Sequence, residues 1–175
     1  MNSDWRWLPL AACNILLLAL TSMVNDGLAP WSVSLLLAGP CVVWAALRLR
    51  PAGLLLCLVA SGLAGEAAWP VPPGFLVTLF ALGAALVVAA RPWLGRAGRS
   101  SQIALAWLLN AFYFAVLTIW AAAPGASAIF WERAVADFCL SQVIVLPVSL
   151  WFFGFQESVL RLVKLPVAQE LATRP

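Results

Sequence analysis

The residues of this chain that could do chemistry are few and scattered. Seven carboxylates and ten Lys and Arg side chains occur, with no histidine, so the commonest general base near neutrality and the commonest transition-metal ligand are missing. Cys13, Cys41, Cys57 and Cys139 all sit inside apolar runs without CxxC spacing, which reads as small hydrophobic packing residues. The isolated Ser, Thr and Asp residues have no base beside them to activate a nucleophile. Neither GxSxG, HExxH nor a Walker loop occurs, so the patterns that build a nucleophile elbow, a zinc site or a phosphate cradle are missing too. The expectation is a protein that is not an enzyme and takes no cofactor or metal.

What these side chains can do is bind and pack. Glu66, Arg133 and Asp137 fall toward the same set of connections and form a candidate outer-side polar contact. Gly53, Cys57, Ser61 and Gly65 recur every four residues. That spacing puts four small side chains on one helical stripe, a candidate helix-docking or partner face where another backbone can come close. Asn14, Asn110, Gln142 and Gln156 are amides in apolar surroundings, suited to hydrogen bonds between helices. Glu157 and Arg161 stand four apart with the acid first, the favourable order for a helical ion pair. Arg161 and Lys164, interleaved with Val and Leu, form a candidate cytoplasmic or headgroup contact.

The elements that must position these residues follow from composition. At 64% apolar and 10% charged over 175 residues, the chain has too little polar surface for a soluble globule. Apolar runs of ~17 to 25 residues cross a hydrocarbon core as helices, and they lie at 7–24, 31–47, 52–69, 74–90, 103–122 and 137–155, with a cytoplasmic amphipathic tail over 156–175. Residues 1–175 therefore read as a single all-α integral membrane domain, a six-transmembrane-helix bundle. Arg6, Arg48, Arg50, Arg91, Arg96, Arg99, Arg161, Lys164 and Arg174 fall in alternate connections and the tail, and only Arg133 falls in the other set. Loops rich in Lys and Arg stay in the cytoplasm, so both termini are expected there (N-in, C-in).

The indoles of Trp5, Trp7, Trp31, Trp69, Trp93, Trp120 and Trp131 lie near the same boundaries, at the headgroup level they prefer. The first run is expected to be a retained helix rather than a cleaved signal, because it continues into Asn25, Asp26 and a second span. Gly39–Pro40 and Pro147 are expected to kink the second and sixth helices, and Ser100 or Ser101 to cap the fifth. The middle of the bundle holds no row of ionisable groups, which argues against a pump or ion-coupled carrier.

Three stretches carry a family resemblance: Ala29-Pro30-Trp31 running to Trp44 and Arg50-Pro51; Gly62-Leu63-Ala64-Gly65-Glu66 followed by Pro72-Pro73-Gly74; and Gln142 through Arg161. Together they resemble the rod shape-determining protein MreD family, small six-helix proteins of the bacterial inner membrane. The resemblance implies a multi-pass, non-enzymatic scaffold of the cell-elongation machinery (the elongasome) that helps set cell shape. It would bind the bitopic protein MreC and help couple MreB filaments to peptidoglycan synthesis by RodA and its transpeptidase, in contact with membrane lipids and with no nucleic acid. The family's fold is similar to the S-component, the substrate-binding subunit of energy-coupling-factor vitamin transporters. That similarity supplies the alternative function, which would require an outward pocket with convergent polar groups.

Overall fold

The structure, a computed structural model, describes residues 5–94, 98–122 and 126–163. The described residues are almost entirely helical: α1 (Trp7–Leu28), a short 3-10 turn (Ala29–Trp31), α2 (Gly39–Arg48), α3 (Pro51–Ala68), α4 (Phe75–Leu94), α5 (Arg99–Ala121) and α6 (Ala128–Leu162). Five of the helices, all but α2, are long and apolar enough to cross a membrane. Their outward faces carry Leu16, Leu56, Leu86, Leu108, Val143 and Leu150, all exposed. That pattern belongs to helices solvated by lipid, and the chain reads as a multi-pass membrane protein.

The helix order is fixed by small residues and ring contacts. Asn14 of α1 meets Cys57 and Ser61 of α3, and Leu18 approaches Gly65 four residues further along, so α1 and α3 run in the same direction. A β-carbon on Gly62 would overlap Val77, and one on Gly65 would press on Leu76; α4 therefore returns antiparallel to α3. Phe80 packs on Tyr113 at 5.5 Å and Phe75 on Trp120 at 5.1 Å, and Phe114 meets Phe138 edge-on at 5.5 Å, which continues the alternation through α5 and α6. Because α1 and α3 are parallel, residues 29–50 must carry the chain back to the end of the bundle where it began.

They do not do so as one helix. The expectation of a second helix over 31–47 is corrected: residues 33–38 are irregular and α2 spans ten residues, ~15 Å of helix. Gly39 and Pro40 start α2 rather than kink it, since proline's missing N–H costs nothing in a first turn. Ser32, just before the irregular stretch, has φ 55°, in the left-handed region.

Other expectations are also revised. Arg133 lies inside α6, not in a connection, because α6 starts at Ala128, where the Ser127 hydroxyl accepts from Phe130 N–H. The helix is 35 residues long and contains Pro147 without a break in the helix. Gly98 precedes α5 with no side-chain cap, so Ser100 and Ser101 occupy its first turn. Trp44, inside the second apolar run rather than among the boundary indoles, is buried in α2, with the Arg48 guanidinium 5.7 Å above its ring. Cys139 is exposed, whereas Cys13, Cys41 and Cys57 are buried in the core.

Candidate functional site

The irregular stretch is the most unusual part of the interior. Leu35, Leu36, Leu37 and Ala38 are buried, yet their backbone lacks helical hydrogen bonds. Non-helical backbone at membrane depth is tolerated only when protein or trapped water satisfies it. Here side chains of three other helices do so. Asn25 of α1 accepts from Leu35 N–H at 2.7 Å and donates to its carbonyl at 2.9 Å, as a paired strand would. Asp137 of α6 accepts from Ser34 N–H at 3.2 Å and from the Ser34 hydroxyl at 2.8 Å. The Ser141 hydroxyl accepts from Leu36 N–H at 3.1 Å. Asn110 of α5 donates to the Leu36 carbonyl at 2.9 Å, and its amide oxygen accepts from Ala38 and Gly39 N–H at 3.1 and 3.2 Å. Asn110 thus caps α2 from a different helix, satisfying amides that a helix start leaves bare. Gly39 is glycine for a packing reason: a β-carbon there would overlap the Ala106 carbonyl oxygen of α5.

Below this clamp lies a second polar cluster. Asn14 Nδ2 donates to the Cys41 carbonyl at 3.0 Å and to Ser61 Oγ at 3.1 Å, and Asn14 Oδ1 accepts from Gln156 Nε2 at 3.0 Å. Four elements, α1, α2, α3 and α6, meet in that cluster. Arg91 of α4 closes the other end of α2 by donating to the Ala46 and Leu49 carbonyls, a cation on the carbonyl end of a helix dipole. Gln142 is buried without a hydrogen-bond partner among the described residues.

The small-residue stripe faces inward. Gly53, Cys57, Ser61 and Gly65 are all buried, with Cys57 and Ser61 against Asn14 and Gly65 against Leu18 and Leu76. It docks α3 onto α1 and α4 of the same chain and is closed to a partner.

Glu66, Arg133 and Asp137 do not form one group. The Glu66 carboxylate accepts from the amides of Gly74, Leu76 and Val77 at 2.8, 2.9 and 3.1 Å, so it caps α4 and favours that helix's positive end. Arg133 and Asp137 instead line a cleft of ≈ 280 Å³ between α5, α6 and the clamped stretch, with Ser32, Ser34 and Trp69 on its opposite wall. Arg161 pairs with Glu157 at 2.7 Å on an exposed face of α6; Lys164 lies outside the described residues.

Asn25, Ser34 and Ser141 escape sequence reasoning as clamp residues. Gly39–Pro40 in mid-run, with Ser32 and Ser34 ahead of it, is the signal that marks a broken span. Comparison with models of protein families, with curated proteins and with solved structures finds no match to this chain.

Proposed function

We propose that this chain is a non-enzymatic scaffold of the MreD type in the bacterial inner membrane, with both termini cytoplasmic and six crossings. In this reading the second crossing is made by residues 33–38 together with α2. The placing of Arg48, Arg91, Arg99 and Arg161 toward one half of the bundle supports the orientation: Arg91 reaches the last turn of α2, and Arg99 reaches the Leu150 carbonyl in the second half of α6, the half that ends with Arg161.

The observation that carries the functional reading is α6. At 35 residues it is ~52 Å long against a hydrocarbon core of ~30 Å, and its uncovered side carries Ile129, Val135, Val143, Leu150 and Leu162. Such a helix offers an apolar surface across the bilayer, with Glu132 and the Glu157–Arg161 pair exposed toward its two ends. That suits a bitopic MreC-like partner, which has both a membrane helix and a soluble part; in this reading the chain helps couple MreB filaments to peptidoglycan synthesis by RodA and its transpeptidase.

Cys139, the exposed cysteine on α6, gives the test. Bifunctional thiol crosslinking of Cys139, Val143→Cys and Leu150→Cys to cysteines along an MreC-like membrane helix should trap a heterodimer at one register. The reading fails if none of the three positions crosslinks while the chain remains folded.

The cleft beside Arg133 and Asp137 favours one alternative, capture of a vitamin-sized solute for an energy-coupling-factor transporter. That alternative predicts a thermal shift of the isolated protein with a water-soluble vitamin and co-purification with a cytoplasmic ATPase module.

A further inference from the structure

The cleft does not stand alone. On the other side of the α5–α6 seam lies an apolar groove of ≈ 220 Å³, walled by Ile119, Trp131, Val135 and Phe138. Phe114, Thr118 and Ala134 line both spaces, so the wall between them is one ring, one threonine and one alanine. Two of those three side chains are small, so little side-chain bulk separates the two spaces.

The two sides differ in chemistry. In the cleft, Arg133 has no hydrogen bond or ion pair among the described residues and is exposed. Asp137 lies four residues on, on the same wall, and holds Ser34 with one contact to each carboxylate oxygen, leaving lone pairs on both. The cleft therefore presents one cation, one anion and hydroxyls, with no net charge. The groove offers only hydrocarbon, aromatic rings and the Thr118 side chain. Trp69 and Trp131 flank the pair of spaces, and indoles favour the level where headgroups meet acyl chains.

We propose that this is a binding site for a zwitterionic phospholipid carrying a primary amine, a phosphatidylethanolamine. The phosphate faces the Arg133 guanidinium, which recognises phosphate by paired donors. The ammonium faces Asp137, and an acyl chain crosses Thr118 and Ala134 into the groove. At ~30 Å³ per water the cleft has room for ~9 waters, enough for a phosphoethanolamine group. A solute without a chain would leave the groove unused, and an anionic lipid such as phosphatidylglycerol would bring Asp137 no cation.

The full chain, purified in mild detergent and exposed to equal amounts of dioleoyl phosphatidylethanolamine, phosphatidylcholine and phosphatidylglycerol, should retain the ethanolamine lipid at least tenfold over the others by native mass spectrometry. Trimethylation removes the donors that Asp137 requires, and glycerol has no amine. Arg133→Gln should lower retention about tenfold with an unchanged unfolding temperature, and Ala134→Trp, which plugs the seam, should abolish it; if that variant does not fold, Thr118→Leu serves instead. Free phosphoethanolamine should not compete. Equal retention of the three lipids, full retention by Arg133→Gln, or displacement of the lipid by phosphoethanolamine or a water-soluble vitamin would each overturn the proposal.

Discussion

Replacing Asn110 by leucine keeps the branch at Cγ and the count of heavy atoms while removing every polar atom that holds the start of α2. Three groups lose their partner: the Ala38 and Gly39 amides and the Leu36 carbonyl. A buried polar group left unpaired costs ~1 to 3 kcal/mol, whereas hydrogen bonds between membrane helices are worth ~0.6 to 2 kcal/mol, because the unfolded chain in a membrane also finds partners. The two amides share one acceptor oxygen, so the loss is nearer to two full bonds than three, on the order of 3 kcal/mol. At ~1.4 kcal/mol per decade that is ~10²-fold in an opening equilibrium.

Two measurements read it. Unfolding of the detergent-solubilised chain by denaturing detergent should shift by that amount relative to Leu108→Ala, an exposed position on the same helix where change is expected within ~0.5 kcal/mol. Amide hydrogen exchange at Ala38 and Gly39 should accelerate by about the same ~10²-fold. If Asn110→Leu unfolds with Leu108→Ala and the two amides keep their protection, cross-helix capping is not what holds α2 in place.

Gly39→Ala should destabilise by ~1 to 3 kcal/mol, since its β-carbon would overlap the Ala106 carbonyl oxygen. Gly27→Ala, facing open space in α1, should be neutral or gain up to ~1 kcal/mol; thermal unfolding of the pair would expose a wrong packing order by equal midpoints. Glu66→Ala should cost ~1 to 2 kcal/mol by stripping three amides of their acceptor, and Glu66→Gln, which keeps one acceptor oxygen, about half of that; a wild-type midpoint for Glu66→Ala would refute the cap. Gly65→Leu should push α3 off α1 and α4, seen as lost thermal stability of the isolated chain; loss of a partner without loss of stability would put the stripe back on the surface.

How much of this could be read from the residues depended on the range of the interaction involved. Hydropathy and flanking Arg and Trp locate α1, α3, α4 and α5 to within about four residues at each end, because solvation by lipid is a property of each segment alone; α6, expected over 137–155, extends well past both ends, to Ala128 and Leu162. The second span misled for the same reason: residues 31–47 are apolar enough for lipid, but Leu35 to Ala46 are buried in protein, and hydropathy does not distinguish the two solvents. The clamp could not be read locally, since Asn25, Asn110, Asp137 and Ser141 are spread over three helices and are recognisable only by the backbone they meet. The four-residue spacing of Gly53, Cys57, Ser61 and Gly65 did reveal close helix approach, though not that the neighbours are α1 and α4. Glu66, Arg133 and Asp137 were grouped by height in the membrane, which says nothing of azimuth around the bundle; α4 takes one and the cleft takes the other two.

The clamp also sets an order of events during synthesis. The partners of Ser34, Leu36 and Ala38 lie 103, 105 and 72 residues further along the chain, so when these amides first leave the ribosome nothing able to hold them has yet been made. Asn25 of α1 can hold Leu35 at once, but Ser34, Leu36 and Ala38 must wait in water, in the translocation channel or beside the headgroups, until α5 and α6 arrive. The irregular stretch leading into α2 is in that sense the last part of the bundle to be completed, and nascent chains halted before Asn110 should leave Ser34 open to thiol labelling as Ser34→Cys, while chains released after α6 should not.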